Sequence, residues 1–360
     1  MQQTVIGNIK FQPEVLPQVL ENQAVFVEPF VEIFRTHDIK RIYFFGSGTS
    51  YNVSQIAAYY FKQIVGIEGI AQYPTVFKNY EKADWTGLLR NDQILFVGIS
   101  QSGTSVSTCQ VMAHARENGY PTLALTGNLA SEITRHVDTT VHLLVGEELT
   151  PPETKGYTVS VLSAYLWAVG VAKDKGVYSE EQYQKAIGEV KELVEHFQTV
   201  IQESEAWYDR NRPSIVNSDR LFVLGYGVDY GSMLEGMLKV GEMLRLPTIG
   251  FEIEEYSHGP TMAIRPNQTI LMIGSDEAEF DRMLQFRAAF KKYTDRVHVI
   301  TCRDIQGDHR DLVFSIKCNK YIAPLMYTVP FQFVAAKGAE DIYIDTNINP
   351  FEEPLAHYQE

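Results

Sequence analysis

Short apolar runs alternate with helix-period stretches along most of the chain. Residues 12–36 carry Val15, Leu16, Val19, Leu20, Val27, Val31 and Ile33 at roughly helical spacing, which predicts one amphipathic helix. RIYFFGSG (41–48) follows, an apolar run that ends in glycines, and then a helical stretch over 50–65. Next come ILFVGIS (94–100), a helix over 104–118, PTLALTG (121–127), a short helix, VHLLVG (141–146) and a long apolar helix over 158–173. Apolar runs alternating with helices predict parallel sheets with helices on both faces, an α/β fold.

The same order then recurs. RLFVLGYG (220–227) matches RIYFFGSG, and a helix over 229–245 follows it. ILMIGS (270–275), VHVITC (297–302), LVFSIK (312–317) and APLMYTVPFQFVAAKG (323–338) match the later elements in turn. Two copies make a duplicated unit rather than a solenoid. The expected organisation is an N-terminal helical segment (1–40), a first subdomain (41–177), a connecting helix rich in Glu, Lys and Gln (178–212), a second subdomain (213–344) and an aperiodic tail (345–360).

Composition narrows the function. A formal net charge of −14 argues against a nucleic-acid binder, which needs a basic face. It also means that an anionic ligand must be caught by a local set of donors, because the global field opposes it. The apolar helix over 158–173 contains Ser160 and Ser163 and is short for a membrane span, so no membrane association is expected. The start, MQQTVIGNIKFQPEV, lacks a basic segment followed by an apolar one. Cys109, Cys302 and Cys318 have no metal-like spacing and are odd in number, which predicts reduced, partly buried structural thiols and a cytoplasmic setting.

Within the first copy, SQSGTS (100–105) stands where the chain leaves an apolar strand and enters a helix. Ligands of open parallel sheets sit at the carboxyl ends of strands. A helix N-terminus there offers free N–H groups and the positive end of a dipole. Six small hydroxyl residues lie between 100 and 108, where a simple N-cap needs one. Ser100, Ser102 and Ser105 are therefore candidate anion ligands, with Thr49 and Ser50 of GSGTSYN (46–52) placed beside them by the preceding strand. The corresponding loop of the second copy reads SDEAEF and carries Asp276, Glu277 and Glu279, so one anion site is expected, not two. A nicotinamide site is disfavoured, since GSGTSYN has Tyr51 where the dinucleotide fingerprint needs its third glycine.

Two further stretches carry candidate chemistry. In DYGSMLEGMLKVGEML (229–244), Glu235, Lys239 and Glu242 share one helix face. Taken alone, Glu235 and Lys239 read as an exposed ion pair. Glu242 lies among Val240, Met243 and Leu244, and burial there would raise its pKa towards that of a base useful near neutrality. In FEIEEYSHGP (251–260), Gly259-Pro260 ends an extended segment and would fix His258 on a turn. No second histidine or cysteine lies at ligand spacing, so no metal site is expected.

Together GSGTSYN, SQSGTS, ETKGYT, LEGMLKVGE and HGP resemble the sugar isomerase (SIS) family, in order, over nearly all of residues 15–350. The likeness is greatest to the isomerase half of glucosamine-6-phosphate synthase and to fructosamine-6-phosphate deglycases. The resemblance implies two tandem SIS subdomains of flavodoxin-like type, a homodimer with shared sites, a 6-phosphosugar or phosphosugar-amine substrate, and no cofactor. It places phosphate binding on Ser50, Ser100, Gln101, Ser102 and Ser105. The family's catalytic glutamate falls on Glu242, with Lys239 on the same face, and its ring-opening histidine on His258, which in the family reaches across the dimer. EELTPPETKGYT (147–158) keeps Thr154 and Lys155 of the family's substrate-contacting stretch and has Glu153 in place of a serine. No counterpart of the synthase's glutaminase domain is expected, and the tail PFEEPLAHYQE has no lysine where the synthase carries a ring-opening one. The resulting expectation is a deglycase that releases a hexose 6-phosphate and an amine or amino acid. An aldose–ketose isomerase and a non-catalytic phosphosugar-binding regulator are the alternatives.

Overall fold

The computed structural model describes residues 3–348 and residue 350. Most of the expected tail therefore lies outside the described residues. Two compact units emerge, each around one sheet. One comprises Val15–Glu147 and Gly156–Lys191. The other comprises residues 3–14, Glu148–Lys155 and residues 192–348.

In the unit of the first sheet, β1 (Arg41–Phe45), β2 (Glu68–Gln72), β3 (Ile94–Ile99), β4 (Thr122–Thr126) and β5 (Thr139–His142) are all parallel, in the order β2-β1-β3-β4-β5. In the other unit, β6 (Leu221–Gly225), β7 (Thr248–Glu252), β8 (Thr269–Ile273), β9 (Val297–Thr301) and β10 (Leu312–Val313) are also parallel, in the order β7-β6-β8-β9-β10. The two orders are the same, and both are the flavodoxin-like order with its switch point between the first and third strands. The duplication read from the sequence is thus present in the topology. Every residue of β3, β4, β6, β8 and β9 is buried, as strands covered on both faces require. The outer strands β2 and β7 are mostly half-buried.

The copies share fine detail. Both first helices, Thr49–Tyr60 and Asp229–Lys239, run on into a single π-turn, Phe61–Val65 and Val240–Leu244. A Cβ at Gly46 would lie 2.6 Å from the Ser50 backbone, and one at Gly225 would lie 2.9 Å from the Asp229 carbonyl oxygen. Only glycine lets these helices start so close to their strands.

Several elements differ from the pattern-based expectation. The helix over 12–36 is two, Gln12–Glu21 and Ala24–Thr36. Asn22 bonds back to the Gln18 carbonyl at 2.8 Å and ends the first turn run. The connecting helix over 178–212 is also two, Glu180–Glu195 and Phe197–Val216, parted at His196, whose Nδ1 lies 2.9 Å from the Glu192 carbonyl oxygen. The stretch 68–80, which the pattern left unassigned, forms β2 and a helix over Pro74–Tyr80, because Pro74 suits a first helical turn. LVFSIK contributes a strand of only two residues. The N-terminal segment does not stay together: Gln12 bonds Gln332 in the second-sheet unit, while residues from Val15 onward belong to the first.

The helix Lys155–Asp174 is buried from Tyr157 to Ala172, all round its axis. Trp167 stacks on Phe30 at 4.4 Å and donates to the Phe26 carbonyl at 2.9 Å. Among the described residues no helix is long and apolar enough to cross a membrane.

Candidate active site

Parallel pairing sets Phe45 of β1 opposite Gly98 of β3, so both strands end at the same edge of the first sheet. The loops that follow, 46–50 and 100–105, therefore emerge side by side at the switch point. Ser100 and Thr49 are buried, Ser50, Gln101 and Ser105 are half-buried, and Ser102 and Thr104 are exposed. The serine loop is held from below. Its Ser100 N–H donates to the Leu125 carbonyl at 3.0 Å, and the Gln101 carbonyl accepts from Gly127 N–H at 2.9 Å. Gly103 N–H donates to Ser100 Oγ at 3.1 Å. The hydroxyls of Ser102 and Thr104 lie 3.0 Å apart, as do those of Ser105 and Thr108. Ser105 is the N-cap of helix Val106–Glu117, yet makes no capping hydrogen bond with its side chain. A cluster of hydroxyls over two helix N-termini can take a phosphate without any basic side chain.

Gly103 keeps the loop in shape. Its φ is +68°, and a Cβ there would lie 1.8 Å from Ser131 Oγ. Gly103→Ala combines that collision with an αL cost of ~1–2 kcal/mol. Phosphosugar affinity is expected to fall about tenfold or more, measured by calorimetry. Unchanged affinity would remove this loop from the site.

The second constellation is built on the helix that follows β6. Lys239 closes its α-helical part with a side chain only 3% exposed, and its Nζ lies 2.5 Å from Glu242 Oε1 and 3.7 Å from Glu235 Oε1. Glu235 is 1% exposed, so this is a buried ion pair and not the surface pair that its spacing alone suggests. Glu242 sits in the π-turn, and its side chain is 34% exposed. The burial expected of Glu242 is thus found at its two partners instead. The π-turn takes up one extra residue and swings Glu242 outward while Val240, Met243 and Leu244 stay buried.

Burial works against the Lys239 ammonium, but Glu235, Glu242 and Glu153 outweigh it and hold its pKa above the ordinary lysine value. The reverse holds at Glu153. Part of that side chain reaches solvent, but its carboxyl is surrounded by protein atoms. Desolvation is the largest cause, Lys239 opposes it, and Glu148, Glu235 and Glu242 add to it, so the Glu153 pKa is pushed up to about 8. Glu153 carries its proton at neutral pH. Glu148, which sequence reasoning missed, fixes this corner: one oxygen accepts from Thr154 N–H, Thr154 Oγ1 and Lys155 N–H at 2.8, 2.8 and 3.1 Å. Lys155 is buried, with its ammonium 5.5 Å over the Phe11 ring.

The SIS domain family profile matches residues 37–170 and 214–336, one stretch around each sheet. The chain belongs to the SIS domain family. A glutamine–fructose-6-phosphate aminotransferase (isomerizing) of Fusobacterium nucleatum is 27% identical over 339 residues, which is 92% of this chain and 54% of that protein. This SIS chain thus spans about half the length of the curated relatives it matches. Its fold superposes on a solved protein of Clostridium difficile 630, provisionally described as a phosphosugar isomerase, with a TM-score of 0.87 and 27% identity, covering 98% of this chain and 97% of that one. A Thermotoga maritima glucosamine-6-phosphate deaminase shares the fold at a TM-score of 0.77 and 20% identity, covering 98% of each chain.

His258 of this SIS chain lies at the end of a short helix, Ile253–Ser257, and is exposed. The extended segment expected before it stops at Glu252, because the Glu252 carboxylate accepts from Glu255 N–H at 2.9 Å and starts the helix. Gly259 follows with a φ of +124°, so His258 does stand on a turn.

In the second copy the acidic loop is not a set of unbalanced charges. Asp276 pairs with Arg303 at 2.8 Å and Glu277 with Lys320 at 2.9 Å, which offsets those charges. The position that matches Ser50 is Asp229. Fully buried, it accepts from Ser275 N–H at 2.7 Å and from Ser275 Oγ at 3.0 Å. An internal carboxyl therefore takes up these two donors. Aligning the two copies position by position is the signal that could have found it.

Burial is also the largest cause that pushes the Asp229 pKa up to about 8, against the two bonds from Ser275. The folded state then holds a proton that the unfolded chain releases near pH 4. Stability from this group falls as pH rises between about 4 and 8. Asp229→Asn removes that loss. The variant is expected to melt several degrees above the parent at pH 9, with the gap narrowing steadily as pH falls towards 4, in a thermal-melt series. A gap independent of pH would show that Asp229 does not titrate in this range.

Proposed function

We propose that this chain is a phosphosugar deglycase: it binds a 6-phosphorylated fructosamine and releases a hexose 6-phosphate and an amine or amino acid. The phosphate falls to the loops at 46–50 and 100–105, where hydroxyls and helix N-termini gather without a carboxylate. Anchoring a non-reacting group orients the reacting carbons. Glu242 is the base. It takes a proton from carbon 1 of the open-chain ketose amine, and the proton is returned to carbon 2. The carbon–nitrogen bond becomes an imine, water adds to carbon 1, and the amine leaves. His258 assists ring opening or protonates the leaving nitrogen.

One observation carries the choice of an amine-bearing substrate. Glu235 and Glu242 face a single ammonium, and Glu153, protonated at neutral pH, replaces the serine that the resemblance would place there. Two carboxylates against one cation suit a substrate nitrogen that is protonated during turnover. A ketose phosphate without the amine brings no cation to balance them. The 27% identity to an aminotransferase that acts on fructose 6-phosphate by its name fits the same substrate class.

The test is a small panel of 6-phosphorylated Amadori compounds, with the amine drawn from ammonia, lysine, asparagine and glucosyl-lysine. Hexose 6-phosphate release, followed by a coupled dehydrogenase, is the expected result. Interconversion of amine-free aldose and ketose phosphates, with no release from any Amadori compound, would replace the deglycase by an isomerase. Binding without turnover of either class would make the chain a sensor.

A further inference from the structure

We infer that Cys302 and Cys318 form a reversible dithiol–disulfide site at the carboxyl end of the second sheet. Cys302 directly follows β9, and Cys318 stands in the loop before helix Ala323–Tyr327. Their sulfurs are 3.8 Å apart, in contact although sixteen positions separate them. Cys302 is 5% exposed, and Cys318 is half-buried, so one thiol is shielded and the other open to small solutes.

The shielded thiol is also an activated one. Tyr327 Oη lies 3.2 Å from Cys302 Sγ and accepts from the Cys302 N–H at 2.9 Å. Cys318 is the largest cause that draws the Cys302 pKa down to about 6, and Tyr327 and Lys317 add to it against burial. Cys109 makes the contrast within the same chain. It is buried, its sulfur lies 3.9 Å from the Gly103 carbonyl, and burial, with Glu132 adding to it, pushes its pKa up to about 11. A thiol in that state does not react.

The chemistry closes with hydrogen peroxide as oxidant. Cys318 sulfur attacks one peroxide oxygen, the O–O bond breaks, and water leaves as Cys318 becomes a sulfenic acid. Cys302 then attacks the Cys318 sulfur. The S–O bond breaks, a second water leaves, and the disulfide forms. Two thiols are oxidised by two electrons, and one peroxide is reduced to two waters. A thiol reductant reverses the step. The bridge would tie the loop before helix Ala323–Tyr327 to the end of β9, beside the Asp229–Ser275 pair. The carboxyl end of the second sheet would thus hold a redox site.

The full chain, fully reduced, is treated with hydrogen peroxide, and thiols are counted after denaturation. The expected count falls from three to one, with the mass lower by two hydrogens. Peptide mapping should find Cys302 linked to Cys318 within one chain, and dithiothreitol should restore all three thiols. In Cys302→Ser, Cys318 should add oxygens without any cross-link. In Cys318→Ser, Cys302 should stay reduced. The inference is overturned if wild type keeps three thiols, if Cys318 gains oxygen with Cys302 present and no bridge forms, or if the bridge joins two chains.

Discussion

Glu242→Gln is expected to lower kcat by about 100-fold or more while phosphosugar affinity stays within about threefold. A hundredfold is about 2.7 kcal/mol of barrier, the usual share of a positioned general base. The substitution keeps shape and an oxygen that Lys239 can still meet. Lys239 also keeps Glu235 at 3.7 Å, so the buried ammonium is not left alone. The melting temperature is the control, because a structural role would move it together with kcat. A variant that turns over at nearly the parent rate would remove Glu242 as the base and leave Glu153 as the carboxyl to test.

The two copies divide their chemistry, and the division is visible position by position. Ser50, beside the serine loop, is Asp229 in the second copy. Conversely Glu235, Lys239 and Glu242 match Ile56, Tyr60 and Gln63 in the first. The first copy keeps neutral hydroxyls at its switch point and an uncharged helix face. The second fills its switch point with a carboxyl and places an ion-paired cluster on the same helix. Each change would be harmful in the other copy. A carboxyl at position 50 would repel a phosphate, and the apolar face at Ile56 and Tyr60 is buried, where an unpaired charge is costly.

Much of this was legible without coordinates, for identifiable physical reasons. Strands covered on both faces are continuous apolar runs, so β1, β3, β4, β6, β8 and β9 stood out from the chain. Their repeat in order gave the tandem α/β fold. The serine loop was legible because one N-cap needs one hydroxyl and six were present. What stayed hidden depends on packing. Glu235 and Lys239 have the spacing of a surface pair, and only the fold buries them. A π-turn adds one residue without disturbing apolar spacing, so the outward turn of Glu242 left no trace. The breaks at Asn22 and His196 arise from side chains bonding their own backbone, which periodicity does not register. Nothing next to Asp229 in the sequence marks it, because its partner Ser275 lies 46 positions away.

A mixture of two inactive variants is expected to recover activity. His258 is exposed on a turn of the second-sheet unit, and Glu242 points outward from the same unit. If Glu242 of one chain works with His258 of a second, as the family resemblance implies, the active form is a two-fold dimer with two composite sites. Glu242→Gln and His258→Ala chains are then each inactive alone. In a mixed dimer one site collects both substitutions and the other collects neither. After random exchange half of the dimers are mixed, and each has one intact site of two. Activity should therefore return to about a quarter of the parent value. Native mass spectrometry shows whether exchange has occurred. Full exchange without recovered activity would mean that Glu242 and His258 of the same chain serve the same site, and the dimer would then be dispensable for the chemistry.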